Sequence, residues 1–154
     1  MHYHHHPAVL IHPAALFGAV FLSGVVLHLF FPLTIGDTVW LRVVGGVLFA
    51  LAVLLHMWAR GIFQEHHEDM DPTTPTRQLL LEGPYRYTRN PLYLSAIIAL
   101  FAIALVINSW WLAAALVISC FTIHYGIVLR EEKYLEARFG DHYRKYKKRV
   151  SRWV

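Results

Sequence analysis

Residues 8–31 read AVLIHPAALFGAVFLSGVVLHLFF, 24 residues without one Asp, Glu, Lys or Arg. At 1.5 Å per residue a helix of this length crosses the hydrocarbon core, which needs roughly 20 apolar residues for about 30 Å. Three more apolar runs follow, at 39–63, 92–107 and 112–129. The second also exceeds the spanning length. The last two are at the short end, and the four residues NSWW between 107 and 112 make them a tight helical hairpin. Composition agrees, since 16% of the residues are charged against about 25% in a soluble domain. The chain is therefore read as an all-α integral membrane protein of one domain, with four transmembrane helices. A loop at 64–91 and a helical tail at 130–154 complete it.

The first run is too long for a signal-peptide core and a second run follows closely, so it is read as a retained span. Cys120 is the sole cysteine and lies within the fourth run, which rules out an intrachain disulfide. Orientation follows from Lys and Arg. The connectors PLTIGDT and NSWW hold none, whereas the stretch from Arg60 to Arg89 holds four and the tail nine, with Arg42 just inside the second run. The positive-inside rule then puts the loop, the tail and both termini in the cytoplasm. Trp110 and Trp111 fall at the opposite interface, where amphipathic rings are favoured. The net charge of +4 is a topology signal whose partner is anionic lipid rather than nucleic acid. No obligate protein partner is expected.

Several polar features have plain structural readings. His4, His5 and His6 are adjacent and rarely converge on one ion, so no metal site is assigned. Gly18, Ser23 and Gly24 in the first run, and Gly45, Gly46 and Ala50 in the second, let helix backbones approach closely. His28 and His56 are read as near span ends, reaching the interface by snorkelling. His124 and Tyr125, in the last turns of the fourth run, either line a pocket or reach the headgroups. The HHED stretch is read as a solvated connector, because adjacent residues do not share a helix face. The RQLLL stretch invites re-entry toward the membrane or packing on a cofactor.

Two stretches carry chemistry. In EGPYRYTRNPLYL (82–94), Gly83 and Pro84 make a turn, and Asn90 and Pro91 read as N-cap and first residue of the third span. Arg89 then sits just outside a helix N-terminus whose free N–H groups favour anions. Tyr85, Tyr87 and Tyr93 offer faces on which a sulfonium or adenine can stack, or form an aromatic interfacial belt. In LREEKYLEARFGDHYRKYKKRV (129–150), the fourth span runs on into a cytoplasmic helix with Leu135 and Phe139 on one face. Gly140 stops it and Asp141 caps the next. Glu131 and Glu132 stand one turn past the membrane boundary, either in a site or in an ion cluster with Arg130 and Lys133. The polybasic YRKYKKRVSRW is read as lying on the membrane surface.

Together GPYRYTRNPLY, two spans and EEKYLEARFGDHYRKYKKRV resemble the isoprenylcysteine carboxyl methyltransferase family, within a wider group that includes phospholipid N-methyltransferases. The resemblance covers about residues 77–150. It implies a membrane methyltransferase that uses S-adenosylmethionine without a Gly-rich nucleotide loop, in keeping with the absence of such a motif here. By matched position it assigns cofactor contacts to Gln78, Leu79, Leu80, Tyr85, Asn90, Pro91, Leu92, Tyr93 and Glu131. Arg89 matches the family's activity-essential arginine, and Glu132 stands beside Glu131 as a second catalytic candidate. Two departures are visible. Asn90 replaces the His of the eukaryotic prenylcysteine enzymes. Ile127 lies near the position of their substrate-binding Arg, so Arg130 is the closest cation on the substrate side, with His124 nearby.

Methyl transfer from a sulfonium requires alignment at about 3 Å and exclusion of water. A carboxylate acceptor needs no base, whereas an amine acceptor must lose a proton, with Glu132 or His124 available. The expected function is methyl transfer to a lipophilic small-molecule or lipidated acceptor, foremost a carboxylate, entering laterally from the bilayer. The alternatives are a phospholipid or small-amine N-methyltransferase, and a non-catalytic scaffold that binds anionic membrane lipids. The resemblance points to a prokaryotic cytoplasmic membrane.

Overall fold

The computed structural model describes residues 13–36, 39–68 and 74–154. The start of the first apolar run, the His4–His6 cluster, Asp37, Thr38 and Asp69 lie outside the described residues. Six α-helices follow in order: α1 Pro13–Phe30, α2 Val39–Glu65, α3 Pro91–Ile107, α4 Trp110–Ile123, α5 Leu129–Phe139 and α6 Asp141–Arg149. A 3₁₀ turn, Gly83–Arg86, precedes α3, and a π-helical turn, His124–Val128, joins α4 to α5. There is no strand among the described residues, only an isolated parallel bridge between Thr88 and Ser151.

Among the described residues, three helices are long and apolar enough to cross a membrane: α1, α2, and the continuous 30-residue helix Trp110–Phe139. The third apolar run forms α3, a shorter helix of 17 residues, or about 26 Å. Apolar residues lie all around α1, because its outer face, with Leu22, Leu29 and Phe30 exposed, meets lipid instead of water. Along the Trp110–Phe139 helix charge begins only past Leu129, so α5 and α6 project from the end of its apolar segment.

Chain order is not spatial order. α3 packs between α2 and α4, and α1 packs on α4. Between apolar helices in lipid the hydrophobic effect supplies little, so association rests on close backbone approach. A Cβ at Gly45 would lie 2.8 Å from the Ala102 carbonyl, and one at Gly24 would lie 2.7 Å from Leu112 Cδ2. Gly18 and Gly46 meet nothing within 4 Å, so the close-packing expectation holds for Gly24 and Gly45 only. The hairpin is tight, as expected. Asn108 closes it in the left-handed region and its Oδ1 accepts from Ile35 and Gly36 N–H, both at 3.0 Å.

At the other end, the 74–80 segment is fastened to α2. The Glu68 carboxylate accepts from the backbone N–H groups of Arg77 and Gln78, and Gln78 Nε2 donates to the His66 carbonyl. Glu68 therefore belongs to a built turn, where the sequence suggested a solvated connector. Leu80 packs with Ala59, Ile62 and Tyr85, whereas Leu81 is exposed. Gly83 takes a positive φ of 53° where a Cβ would meet Ile62 and Trp58 at about 3 Å, so the turn into α3 requires glycine.

Candidate functional site

Past the apolar ends of the helices, a cavity of about 390 Å³ opens between the 74–80 segment, the 3₁₀ turn, α3, α5 and α6. Its polar end gathers Glu68, Gln78, Tyr85, Arg89, Glu131, Glu132, Tyr143 and Tyr146. From there it runs along α3 into an apolar arm bounded by Ala14 and Phe17 of α1, His56 and Phe63 of α2, and Leu92 and Ala96 of α3. A volume of 300–1,000 Å³, apolar walls and a few convergent polar groups are the marks of a small-molecule site.

The polar end is organised around Glu132. Arg152 grips its carboxylate with two hydrogen bonds, Nε to Oε1 at 2.7 Å and Nη2 to Oε2 at 3.0 Å. Arg89 Nη1 approaches the same Oε1 to 2.9 Å, and Lys147 stands 4.0 Å from Oε2 while pairing with Glu136 at 2.9 Å. Burial alone would raise the Glu132 carboxyl, but the Arg152 hydrogen bond and the charges of Arg89, Arg152 and Lys147 outweigh it and hold the value down. Glu132 is thus an anchored anion. It is spent on pairing.

Arg89 is different. Its side chain is 9% exposed, yet Nε has no hydrogen-bond partner among the described residues. Its Nη1 contact with Glu132 is an ion pair without hydrogen-bond alignment. Buried donors left open carry a cost of about 1–3 kcal/mol each, and such groups at a cavity wall mark where a ligand's oxygens belong. Arg89 is also the sole Lys or Arg among the lining residues.

Glu131, one residue before Glu132 in α5, has a different partner. Tyr93 Oη donates to its Oε2 at 3.2 Å. Burial pushes its carboxyl up to about 7, the Tyr93 hydrogen bond opposes this, and the neighbouring Glu132 charge adds to it. Near neutral pH this acid is balanced between its two forms, ready to ionise against a cation. Tyrosines close the remaining walls. Tyr146 Oη donates to the Tyr85 carbonyl at 2.7 Å. The Tyr85 hydroxyl is raised by burial, then by Glu131 and Tyr146. Tyr143, fully buried, is pushed up to about 12 by burial and by Glu132, with Arg89 opposing.

The chain's last residues complete the site. Residues 151–153 return alongside the R-N-P motif as a strap: the Arg89 N–H donates to the Ser151 carbonyl at 3.1 Å, and Thr88 Oγ1 and Asn90 Nδ2 both donate to the Arg152 carbonyl, at 3.1 and 3.0 Å. Asn90 is the N-cap of α3 by position, but its side chain makes no cap bond. The strap has claimed it. Trp153 packs against Ile123, Ile127 and Val128. The expectation of a tail lying wholly on the membrane surface is corrected by these contacts. Asp141 is likewise the first residue of α6 rather than its cap, which is Gly140.

All nine positions matched to cofactor contacts line this cavity, as do Arg89 and Glu132. His124 and Arg130 do not line it. His124 sits in the π turn with its ring 4.8 Å from Tyr125 and 6.2 Å from Trp153. Five polar wall or anchor residues escaped the sequence reading: His56, Glu68, Tyr143, Tyr146 and Arg152. The i, i+3 tyrosines in an otherwise charged α6 were a usable signal for two of them. Arg152 was hidden in a polybasic run, and His56 behind the snorkelling interpretation. α2 continues to Glu65, so His56 lies about 13 Å before its end, with its ring bonded to Ser95.

The residues fit S-adenosylmethionine: an open guanidinium for a carboxylate, a poised acid for an ammonium or ribose, and aromatic faces for a sulfonium or adenine. Comparison with known proteins leads the same way. An uncharacterized protein of Haemophilus influenzae is 38% identical over 63 residues, which is 41% of this chain and 100% of the relative. A family model described as phospholipid methyltransferase matches residues 40–142, the stretch from α2 to the start of α6 that carries Arg89, Asn90, Glu131 and Glu132. The chain belongs to the phospholipid methyltransferase family.

Proposed function

We propose that this integral membrane protein transfers a methyl group from S-adenosylmethionine to a lipophilic acceptor, at the cytoplasmic face of a prokaryotic cytoplasmic membrane. The observation that carries the reading is a buried guanidinium with an open Nε, set at the polar end of a cavity whose other end is an apolar arm. Such a cavity receives a charged, water-soluble molecule from one side and an acyl or prenyl chain from the other.

In this reading Arg89 holds a carboxylate, Glu131 receives the cofactor's ammonium or ribose hydroxyls, and Tyr85, Tyr93 and the 78–80 segment enclose its flat and cationic parts. The cofactor, when bound, supplies an activated methyl group. Glu132 and Arg152 fix Arg89, and Tyr143 and Tyr146 exclude water, so that alignment and dehydration lower the barrier. His124 and Arg130 have no part in this version of the site. A carboxylate acceptor and an amine acceptor both remain compatible with these roles. The family description favours a lipid amine, and the open Arg89 favours a carboxylate.

Calorimetric titration of the purified protein in nanodiscs with S-adenosylhomocysteine tests the reading. A saturable isotherm in the micromolar range is expected, weakened at least tenfold by Arg89→Lys, because an ammonium cannot reproduce the fork. No binding at hundreds of micromolar would overturn it.

A further inference from the structure

The 74–80 segment has a cavity on each side. One is the cavity described above, and the other is a cleft of about 820 Å³. Residues of the segment alternate between them as in a strand: Thr76 and Gln78 line the first, Pro75 and Arg77 the second. Phe63 and Glu68 of the neighbouring stretch line both. The segment is a thin partition.

Three arginines from three separate elements line the cleft: Arg60 of α2, Arg77 of the partition and Arg138 of α5. All three are exposed, and none forms an ion pair among the described residues. The carboxylates at hand are already engaged. Glu68 accepts from the backbone N–H groups of Arg77 and Gln78, and Glu136 pairs with Lys147 at 2.9 Å. Like charges gathered around one cleft repel, and an anion between them removes that repulsion. The shape of the anion follows from the number of forks. One guanidinium fork satisfies the two oxygens of a planar carboxylate, whereas a tetrahedral phosphate offers oxygens to forks that arrive from several directions. Phe63 and Pro75 add apolar wall, which suits the organic part of an ester. Arg60 lies about 8 Å before the end of α2, where an apolar helix meets the headgroup layer.

We infer that this cleft binds a phosphate ester through Arg60, Arg77 and Arg138, and that the bound anion fastens the partition to α2 and α5. Because Thr76 and Gln78 stand on the other side of the partition, the same anion steadies a wall of the first cavity. The inference is independent of methyl transfer. A lipid headgroup and a soluble phosphate ester carry the same recognised group.

The test uses the delipidated full-length protein in maltoside micelles, which contain no phosphate. Two probes are titrated: glycerol 3-phosphate in solution, and dioleoyl phosphatidic acid in mixed micelles with dioleoylglycerol as its uncharged control. Calorimetry reads binding, and hydrogen exchange reads the Arg77 and Gln78 amides. Saturable binding is expected, with exchange of those amides slowed at least threefold. Arg60→Gln and Arg138→Gln should each weaken binding about tenfold, while their melting points without probe stay at the wild-type value because neither loses a partner. Arg144→Gln, on α6 and paired with Asp141, should bind as the wild type does. Binding of glycerol 3-phosphate supports a soluble ester, and binding of phosphatidic acid alone supports a lipid headgroup. No saturable binding of either probe up to about 10 mM, equal weakening in Arg144→Gln, or an equal response to dioleoylglycerol would overturn the site. Binding that leaves amide exchange unchanged would overturn the fastening of the partition.

Discussion

Replacing Arg152 by Ala removes both hydrogen bonds that hold Glu132, at 2.7 and 3.0 Å, and leaves Lys147 4.0 Å from Oε2. Each bond to a charged group contributes about 1.5–3 kcal/mol when shielded. The Arg152 side chain is 31% exposed, and Glu132 keeps Arg89. After discounting for solvent, a stability loss of about 1–2 kcal/mol is expected. The larger consequence is at Arg89. With Glu132 released, its guanidinium is free to pair fork-to-fork with the carboxylate, which turns Nε away from the cavity. Affinity for S-adenosylhomocysteine should fall about tenfold, or ~1.4 kcal/mol. Arg152→Lys restores charge but not the two-point grip, so it recovers only part of that loss. Calorimetry in nanodiscs reads the affinity, and tryptophan-fluorescence melting reads the stability. The depressed Glu132 carboxyl contributes stability that is present above the ordinary carboxylate range and lost as pH falls through its lowered value. Acid melting should therefore cost the wild type more than Arg152→Ala. A melting point that falls while affinity stays within twofold would refute the claim that Arg152 sets the geometry of Arg89.

Glu131 supplies a pH prediction of opposite sign. Its carboxyl, at about 7 in the fold against about 4.3 unfolded, makes the native state hold the extra proton, so its contribution to stability declines as pH rises between these values. If the cofactor's ammonium pairs with Glu131, S-adenosylhomocysteine binding strengthens from pH 6 to 8 with proton release, and Glu131→Gln abolishes both effects in calorimetry. In the bundle, Gly45→Ala places a methyl 2.8 Å from the Ala102 carbonyl and should cost about 1–3 kcal/mol as overpacking. Gly46→Ala, which meets nothing within 4 Å, should leave the melting point unchanged or slightly raised.

The helices were legible because length and continuous apolarity are one-dimensional properties. Their order in space was not, since α1 packs on α4 through Gly24 and Leu112, a pairing that no spacing within α1 reveals. The R-N-P motif and the acidic pair were legible as chemistry, but their division of labour came from partners distant in sequence. Glu131 and Glu132 are adjacent and look interchangeable. One meets Tyr93 and its carboxyl is pushed up, the other meets Arg89 and Arg152 and keeps its charge. Asn90 looked like a cap because Asn before Pro usually is one, and the strap's carbonyl proved the stronger claimant.

The strap also explains how one cation can serve a ligand in a site with two acids. A lone Arg89 beside Glu132 would satisfy its neighbour and have nothing to offer a carboxylate. A second arginine from the end of the chain saturates Glu132 through both oxygens, and the first is left half-paired. The same backbone carbonyl that presents Arg152 is held by Thr88 and Asn90, the residues on either side of Arg89. Position and charge are therefore set together: shifting the strap moves the guanidinium that neutralises Glu132 and the backbone that aims Arg89. An open donor buried at 9% exposure is unfavourable in isolation. It persists because the strap, α5 and α6 all constrain it at once, as expected of a group held ready for a partner.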